Sequence, residues 1–402
     1  MKRIGLITVF CAGMLLSFHH RVCAQLDTYK LYNISREEGL PTENVQQIFQ
    51  DAYGFLWIAS FDGLFRWDGY RYKKYFFDEN DSTSISNNIV NVVYEDTQKR
   101  LWIGTLTGLD LYDREKDTFT RCNFTGTGRR IAVNAIVEDS KGAIWLGAST
   151  GLYCYDHTAR RSIKYDSEGA PGNLLSDHVV FSLAIDRYDN IWIGTFHGGV
   201  NKLATPTGKI TTFQHKENNP HTVCSNMVNA VMVDHQGLVW VGTYDKGISV
   251  LDPHGNVLKQ YKIASNKYNI QNIVSALYED QNHRIWVGAI MDHLFYLDTQ
   301  QDRIVPFRNT AINRSDVACE SVTHIGEDNV GNLWVGTQTE GMFYTNKYKN
   351  VFEYYTPGSQ EKEHGLNGKI ITCFSESADG QVWIGTSGGL LLFNPADKTC
   401  KT

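Results

Sequence analysis

Short runs of alternating apolar and polar residues recur along the chain, and turns rich in Asp and Gly separate them. Residues 45–49 and 92–94 are two such runs, and each is followed, after a turn, by a more apolar run with Trp at its centre. Alternation with a period of two is typical of β-strands that pack one face against a core. These runs lack the 3.6-residue apolar spacing of amphipathic helices. The pattern therefore predicts an all-β protein.

Tryptophan marks a repeat of the chain. Eight tryptophans are separated by 43 to 49 residues, at positions Trp57, Trp102, Trp145, Trp192, Trp240, Trp286, Trp334 and Trp383. An Asp stands six residues before Trp in seven copies, and Ser377 replaces it in the eighth. Gly stands two residues after Trp in seven copies, and Ala59 replaces it in the first. Trp and this small residue share one face of a strand, so we expect room there for a neighbouring sheet.

Each unit predicts four antiparallel strands, because a third strand and a more polar fourth strand follow the Trp strand. Eight such units predict the blades of a β-propeller, with every repeat Trp in the core and the Asp closing a hairpin. The chain starts with a lone strand at residues 29–34 and is expected to finish after a third strand at residues 390–394. The first strand could complete a terminal blade. On the residues alone, a closed eight-bladed ring is possible.

The first 24 residues predict a signal peptide. Lys2 and Arg3 precede an apolar run, and Val22-Cys23-Ala24 provides a cleavage site, so we expect an exported, periplasmic protein without a later membrane span. Removal of this segment changes the formal net charge from −6 to −9. An acidic surface argues against nucleic acid as a partner, because nucleic-acid binding needs a basic one.

Cysteine and histidine spacing predicts neither a metal site nor a cofactor. Six cysteines remain after the signal peptide, with irregular spacing and no Cys-x-x-Cys, so free thiols are expected and a disulfide pairing stays open. The thirteen histidines show no His-x-x-x-His spacing.

The repeat units resemble the two-component regulator propeller repeat, which is found in periplasmic sensor regions of hybrid two-component systems that detect polysaccharide fragments. Residues 133–147 and 101–109 carry the match, and so do the segments before the inner strands at residues 85–90 and 40–45. The family's arrangement implies two consecutive seven-bladed rings, then a β-sandwich, a membrane span and a histidine kinase. The resemblance therefore implies one seven-bladed ring over residues 25–350. Residues 351–402 would be the start of a truncated second propeller or a closing blade.

One face of the predicted ring is the candidate ligand site. The turns between second and third strands and the loops that lead into the next inner strands share this face, here called the upper face. Aromatic and hydrogen-bonding groups together suit a carbohydrate ring, and a basic loop with Arg129 and Arg130 suits a sulfate or uronate. Ordinary loop variation is the alternative. The ligand-binding candidates are Phe61, Asp62, Arg129, Phe196, His197, Tyr244, Asp245, Lys246, Met291, Asp292, His293, Gln338 and Glu340.

The predicted function is a sensor module that binds an oligosaccharide and relays to downstream kinase regions, with a homodimer as one arrangement. The chain lacks kinase motifs, so it is expected not to be an enzyme, and it is a sensor fragment, a truncated product or a stand-alone binder. The repeated Asp residues are structural because they occupy the same turn position in each unit. The alternatives are a secreted lyase or hydrolase, for which His197, Asp292 and His293 are the residues to test, and a protein-interaction scaffold.

Overall fold

The computed structural model describes residues 30–126, 128–168, 174–263, 273–291, 293–307, 319, 321–346, 370–377, 379–394 and 399–401. Regular structure in these residues consists of eight four-stranded antiparallel sheets. The predicted fold class, an all-β propeller of four-stranded blades, is confirmed. The predicted signal peptide lies outside the described residues. Within the described part of the chain, no helix is long and apolar enough to cross a membrane.

The chain divides into two compact units, residues 1–346 and 347–402. The first unit holds seven of the sheets. Its strands are β1 (Leu31–Ile34), β2 (Val45–Gln50), β3 (Leu56–Ser60), β4 (Gly63–Trp67), β5 (Tyr72–Tyr75), β6 (Val90–Glu95), β7 (Leu101–Thr105), β8 (Leu109–Asp113), β9 (Thr118–Cys122), β10 (Val133–Glu138), β11 (Ile144–Ala148), β12 (Gly151–Asp156), β13 (Arg161–Tyr165) and β14 (Val180–Ile185).

The remaining strands of the first unit are β15 (Asn190–Thr195), β16 (Val200–Ala204), β17 (Lys209–Phe213), β18 (Val228–Val233), β19 (Val239–Thr243), β20 (Ile248–Leu251), β21 (Val257–Tyr261), β22 (Val274–Glu279), β23 (Ile285–Ala289), β24 (Leu294–Asp298), β25 (Arg303–Pro306), β26 (Val322–Glu327), β27 (Leu333–Thr337) and β28 (Met342–Thr345). Six sheets are made of consecutive strands, from β2–β5 to β22–β25. We number these sheets one to six, and the sheet of β26, β27, β28 and β1 is the seventh.

The seven sheets of the first unit form a closed ring. Their inner strands contact one another in the cyclic order β2, β6, β10, β14, β18, β22, β26, and β26 lies against β2. Strand β1 pairs with β28, with Leu31 opposite Thr345 and Ile34 opposite Met342. The first strand therefore completes the sheet of the Trp334 unit, and not that of the Trp383 unit as a closed eight-bladed ring would require.

The repeated Asp connects the hairpin turn to the buried Trp. In the third sheet, Asp139 Oδ1 accepts the backbone N–H groups of Lys141 and Ala143, both at 3.0 Å. Its Oδ2 accepts the indole N–H of Trp145 at 2.9 Å. The same three bonds recur in the other sheets of the ring, at Asp51, Asp96, Asp186, Asp234, Asp280 and Asp328. The sequence predicted the hairpin bonds but not the bond to the indole.

The small residue after Trp lets neighbouring sheets of the ring approach, as the sequence predicted. A Cβ added at Gly104 would lie 2.5 Å from Cγ1 of Val92 and 2.9 Å from Cγ1 of Val133 in the next sheet. A Cβ at Gly336 would lie 2.9 Å from Cγ1 of Val45, which belongs to the first sheet. The same packing rule therefore operates where the seventh sheet meets the first.

The second unit contains the eighth sheet, made of β29 (Ile371–Glu376), β30 (Val382–Thr386), β31 (Gly389–Asn394) and β32 (Thr399–Lys401). The prediction that the chain has no fourth strand here is wrong, because β32 pairs with β31. The prediction that Trp383 is a core residue is also wrong, because its side chain is 39% exposed. Within this unit, the described residues contain no second sheet to cover the indole.

Five cysteines are free thiols. They are Cys122, Cys154, Cys224, Cys319 and Cys373. Burial raises the pKa of the Cys122 thiol to about 12, with a further contribution from the Asp110 carboxylate, and burial raises the pKa of Cys154 to about 11. Thiols with raised pKa values are poor nucleophiles, so these two residues are packing groups.

Candidate functional site

A cavity of about 500 Å³ lies among the inner strands of the ring. The second residue of most inner strands uses its polar group to bind the next sheet. Asn91, Asn134 and Asn229 donate from Nδ2 to the carbonyl oxygens of the first residues of the following inner strands, at 3.1, 2.8 and 3.0 Å. Ser275 and Thr323 donate in the same way through their hydroxyls. Much of the polar lining of this cavity therefore holds the ring together.

The fourth sheet departs from this rule because Phe181 occupies the second position of its inner strand. The Phe181 ring packs edge-on against Phe196, with centroids 5.2 Å apart. Phe196 in turn lies 4.0 Å from the His197 ring, and the backbone N–H of His197 donates to Asp177 Oδ2 at 2.8 Å. Phe181 in the cavity wall and Phe196 and His197 in the predicted turn thus form one cluster of packed rings. Sequence reasoning missed Phe181, although it is the only apolar residue at this position in the ring.

A second cavity, of about 270 Å³, lies on the upper face between the second sheet and the loop that leads into the third sheet. The exposed residues Arg129 and Arg130 line it together with Arg121 and the buried Asp110. Asp110 Oδ2 accepts the backbone N–H of Ser86 at 2.7 Å. Among the described residues, Asp110 Oδ1 is buried without a hydrogen-bond partner. Burial raises the pKa of Asp110 to about 6, against the opposing effect of the Ser86 hydrogen bond.

The fold needs a hydrogen-bond acceptor at the position of Asp110, but it does not need an ionisable one. In the fourth and fifth sheets, Asn201 Oδ1 and Ser249 Oγ accept the corresponding backbone N–H groups, at 3.1 and 2.9 Å. A neutral acceptor is therefore sufficient for the loop, and the ionisable group adds a desolvation cost. Sequence reasoning also missed Asp110. The available signal was a carboxylate inside the otherwise apolar start of β8, where four sheets have an aromatic residue, namely Phe65, Tyr153, Phe295 and Phe343.

The predicted turns do lie beside the loops that lead into the inner strands. The backbone N–H of Tyr244 donates to the Met227 carbonyl at 2.9 Å. Gln338 N–H donates to the Ser321 carbonyl at 3.1 Å. These bonds place the turn and loop of each sheet on one face. Ligand binding by the turns stays a prediction.

Several side chains and backbone groups of the predicted set serve local structure. Asp62 accepts the Thr42 hydroxyl at 2.8 Å, while Phe61 beside it is exposed. The Lys246 N–H donates to Thr243 Oγ1 at 3.1 Å, and the Glu340 carbonyl accepts the Asn33 amide at 2.8 Å. Asp245 Oδ1 is buried without a hydrogen-bond partner in the part of the chain described. Asp245 is thus an acidic residue of the predicted set with a side-chain oxygen that accepts no hydrogen bond from the described residues.

Met291, the first residue of the Met291-Asp292-His293 turn, differs in backbone conformation from the non-glycine residues described in the equivalent turns. Met291 is exposed, has a φ of 59° and donates its N–H to Ser321 Oγ at 3.1 Å. Asp292 lies outside the described residues. His293 is half-buried on the sixth sheet, whereas His197 lies on the fourth. The two histidines of the catalytic alternative therefore belong to turns of different sheets.

A ring of four-stranded sheets with inner strands around a common cavity defines a β-propeller. The profile of the family described as Two component regulator propeller matches residues 39–62, 84–107, 173–197, 222–245 and 365–388. These five segments are therefore two component regulator propeller repeats, and the resemblance stated from the sequence is confirmed. No curated protein matches the sequence significantly.

Solved structures share the fold. The extracellular domain of the hybrid two component system BT3049 from B. thetaiotaomicron is 23% identical, with a TM-score of 0.67 over 93% of this chain and 49% of that chain. Streptogramin B lyase is 14% identical, with a TM-score of 0.58 over 79% of this chain and 98% of that chain. PorZ of Porphyromonas gingivalis, a surface component of its type-IX secretion system, is 17% identical, with a TM-score of 0.55 over 90% and 59%. This chain spans about half the length of the BT3049 domain.

Proposed function

We propose that this propeller is the ligand-sensing module of a periplasmic two-component sensor and that it binds a polysaccharide-derived oligosaccharide on its upper face. The repeat family and the shared fold with the extracellular domain of a hybrid two component system support the sensor role. In this proposal the eighth sheet begins a second propeller. Ligand binding changes the packing of the propeller, and this change is transmitted to kinase regions that are absent from this chain. The predicted signal peptide supports the location.

The cavity beside the loop between the second and third sheets carries the oligosaccharide proposal. A buried carboxylate oxygen of Asp110, which has no hydrogen-bond partner among the described residues, can accept sugar hydroxyl groups, and the exposed Arg129 and Arg130 can bind a carboxylate or sulfate. The chain as a whole carries a formal net charge of −6, so these arginines form a local cationic site on an acidic protein. We therefore propose an oligosaccharide that carries uronate or sulfate groups.

Calorimetry on the mature chain, from residue 25, tests this proposal with neutral, uronate-bearing and sulfated oligosaccharides. We expect binding of an acidic oligosaccharide, and at least about tenfold weaker binding in Arg129→Gln/Arg130→Gln and in Asp110→Asn. Arg187→Gln, at an exposed turn on the opposite face, is the matched control and should bind normally. The proposal fails if no member of the panel binds, or if Asp110→Asn binds as tightly as the unaltered chain.

Asp110→Asn also separates a binding defect from unfolding. The folded-state pKa of about 6 lies above the unfolded value of 3.8, so ionisation destabilises the fold as pH rises through this range. Asparagine keeps an acceptor for the Ser86 N–H, as Asn201 does in the fourth sheet. We expect the free energy of unfolding to increase by about 1–3 kcal/mol at pH 7 and to be nearly unchanged below pH 4. Urea titrations at the two pH values measure this difference.

A further inference from the structure

Two histidines and one glutamate meet between the fifth and sixth sheets, on the face opposite the candidate ligand site. His235 follows the turn Asp of the fifth sheet, Glu279 ends β22, and His283 lies in the following turn. Their ligand atoms all lie within 4.8 Å of one another. His283 Nδ1 is 3.2 Å from Glu279 Oε1, and His235 Nδ1 contacts the same oxygen. The two imidazole centroids are 3.8 Å apart.

The framework of the ring fixes the carboxylate in this cluster. Glu279 Oε2 accepts the backbone N–H of His235 at 2.8 Å, which joins the fifth sheet to the sixth. The same bond joins other neighbouring sheets, from Ala52 to Glu95 at 2.8 Å and from Gln281 to Glu327 at 2.9 Å. One oxygen of Glu279 thus serves the inter-sheet bond that recurs around the ring, and the other faces the imidazoles.

The recurring inter-sheet bond requires neither imidazole. The backbone N–H of His235 makes the inter-sheet bond, and Ala52 makes the same bond in the first sheet with no polar side chain. The contact of His235 Nδ1 with Glu279 Oε1 is additional to it, as is the bond from the Thr97 hydroxyl to Glu138 Oε1 at 2.8 Å in the second sheet.

His283 has a φ of 61° at a turn position where four other sheets of the ring have glycine, as at Gly54 with 88°, and two have Lys99 and Asp189 with 62° and 61°. A side chain in this left-handed region is unfavourable compared with glycine. The two imidazoles are therefore additions to the repeat, and they stand beside the same carboxylate.

We propose that His235, Glu279 and His283 bind a divalent transition-metal ion of the Zn²⁺ class and so bridge the fifth and sixth sheets. Two imidazole nitrogens and one carboxylate oxygen match the donors that Zn²⁺ takes in three-ligand protein sites, where water completes the coordination. Ca²⁺ and Mg²⁺ prefer sets made of oxygen ligands, so they fit this cluster poorly. Sequence spacing did not reveal the site, because two adjacent sheets supply the ligands.

The test is calorimetric titration of Zn²⁺ into the untagged mature chain after treatment with a chelator. We expect one ion per chain at this site and a rise in Tm on binding. Co²⁺ should give the visible absorption of a nitrogen and oxygen ligand set. Mg²⁺ is the comparison ion and should leave the Tm unchanged.

The first sheet supplies the matched variants, because it has a non-ligand residue at the position equivalent to each proposed ligand. His235→Ala, Glu279→Gln and His283→Gly introduce the residues found at Ala52, Gln50 and Gly54. Gln50 Oε1 accepts the N–H of Asn329 at 2.7 Å, so the glutamine variant should keep the inter-sheet bond. We expect each single variant to bind Zn²⁺ at least about tenfold more weakly, and the triple variant to lose the site, with the metal-free circular dichroism unchanged.

The exposed thiol of Cys373 is a competing ligand, and Cys373→Ser controls for it. Zn²⁺ binding should persist in this variant with unchanged affinity. The proposal is overturned if the unaltered chain does not bind Zn²⁺, if the triple histidine and glutamate variant binds it normally, or if Cys373→Ser removes binding.

Discussion

The seven sheets of the ring and the eighth sheet contain the same repeat but differ in what surrounds the tryptophan. Trp102 in the ring is fully buried, whereas Trp383 is 39% exposed. Both tryptophans lie in a central strand with an apolar neighbour and a glycine two residues further on. The difference shows that the repeat motif specifies a sheet, while burial of the indole depends on the sheets packed against it.

The turn before the tryptophan supports the same conclusion. In the eighth sheet Ser377 replaces the Asp, yet the turn keeps its backbone bonds from Ser377 N–H to the Gln381 carbonyl at 2.8 Å and from Gly380 N–H to the Ser377 carbonyl at 3.0 Å. The hairpin therefore forms without a carboxylate at the position of the repeated Asp, although Asp379 in the same turn accepts the Ser377 hydroxyl and the Gln381 side-chain amide. In the ring the carboxylate has an additional task, because a buried indole N–H needs an acceptor.

The largest expected effect comes from removing the indole. Trp102→Ala should lower the free energy of unfolding by about 3–5 kcal/mol, because it leaves a cavity in a close-packed sheet interface. Trp383→Ala should cost about 1 kcal/mol or less in its own unit, since its indole is already partly in water. Urea unfolding followed by circular dichroism measures both. Equal losses in the two variants would contradict the distinction between the ring and the eighth sheet.

A smaller effect is expected from the indole acceptor. Asp139→Ser copies the residue of the eighth sheet into the ring, and it should lower the free energy of unfolding by about 1–3 kcal/mol because the buried N–H of Trp145 loses its partner. The reverse change, Ser377→Asp, should alter stability by less than about 0.5 kcal/mol. Thermal and urea denaturation of both variants provide the measurement. If Asp139→Ser leaves the free energy of unfolding unchanged, the bond from the carboxylate to the indole contributes nothing and the carboxylate serves only the turn.

The smallest effect concerns a histidine in the inner strand of the seventh sheet. Burial lowers the pKa of His324 to about 4, and its Nδ1 accepts the Ile48 N–H at 3.4 Å. Because the folded pKa lies below the unfolded value of 6.5, this residue stabilises the fold above pH 6.5, and that stability is lost as pH falls towards 4. His324→Gln introduces the residue that the first sheet has at Gln47. The free energy of unfolding of this variant, measured relative to that of the unaltered chain, should be about 1–2 kcal/mol higher at pH 4.5 than it is at pH 7.

The eighth sheet offers the matched comparison for this titration. Cys373 occupies the position of His324 and is exposed. A Cys373→His variant should titrate near the ordinary pKa of about 6.5. Imidazole proton shifts in NMR spectra can follow both residues. A normal pKa for His324 would mean that water reaches the inner strand of the ring as freely as it reaches the eighth sheet.

The propeller was predictable because its signals are local. Alternation along residues 45–49, the regular Trp spacing and the small residue after Trp each follow from strand geometry and sheet packing. The candidate site was less accessible to sequence reasoning. Asp110 and Phe181 acquire their meaning from loop and turn residues that the fold brings beside them. His235 and Glu279 belong to adjacent sheets and are 44 residues apart in the chain. Alternation shows which face is buried, but it does not show which group lies opposite.

The pairing of β1 with β28 has a consequence for the order of assembly. A hydrogen bond in this region joins Asn33 and Glu340, which are 307 residues apart in sequence. During synthesis the first strand must wait unpaired while six hairpin-rich sheets form behind it from neighbouring segments. Contacts over such long separations form slowly and leave a strand edge open to wrong partners in the meantime. Completion of the seventh sheet is thus expected to be the slow, late step of folding. It is also the step before which a chaperone has the longest time to bind the unpaired strand.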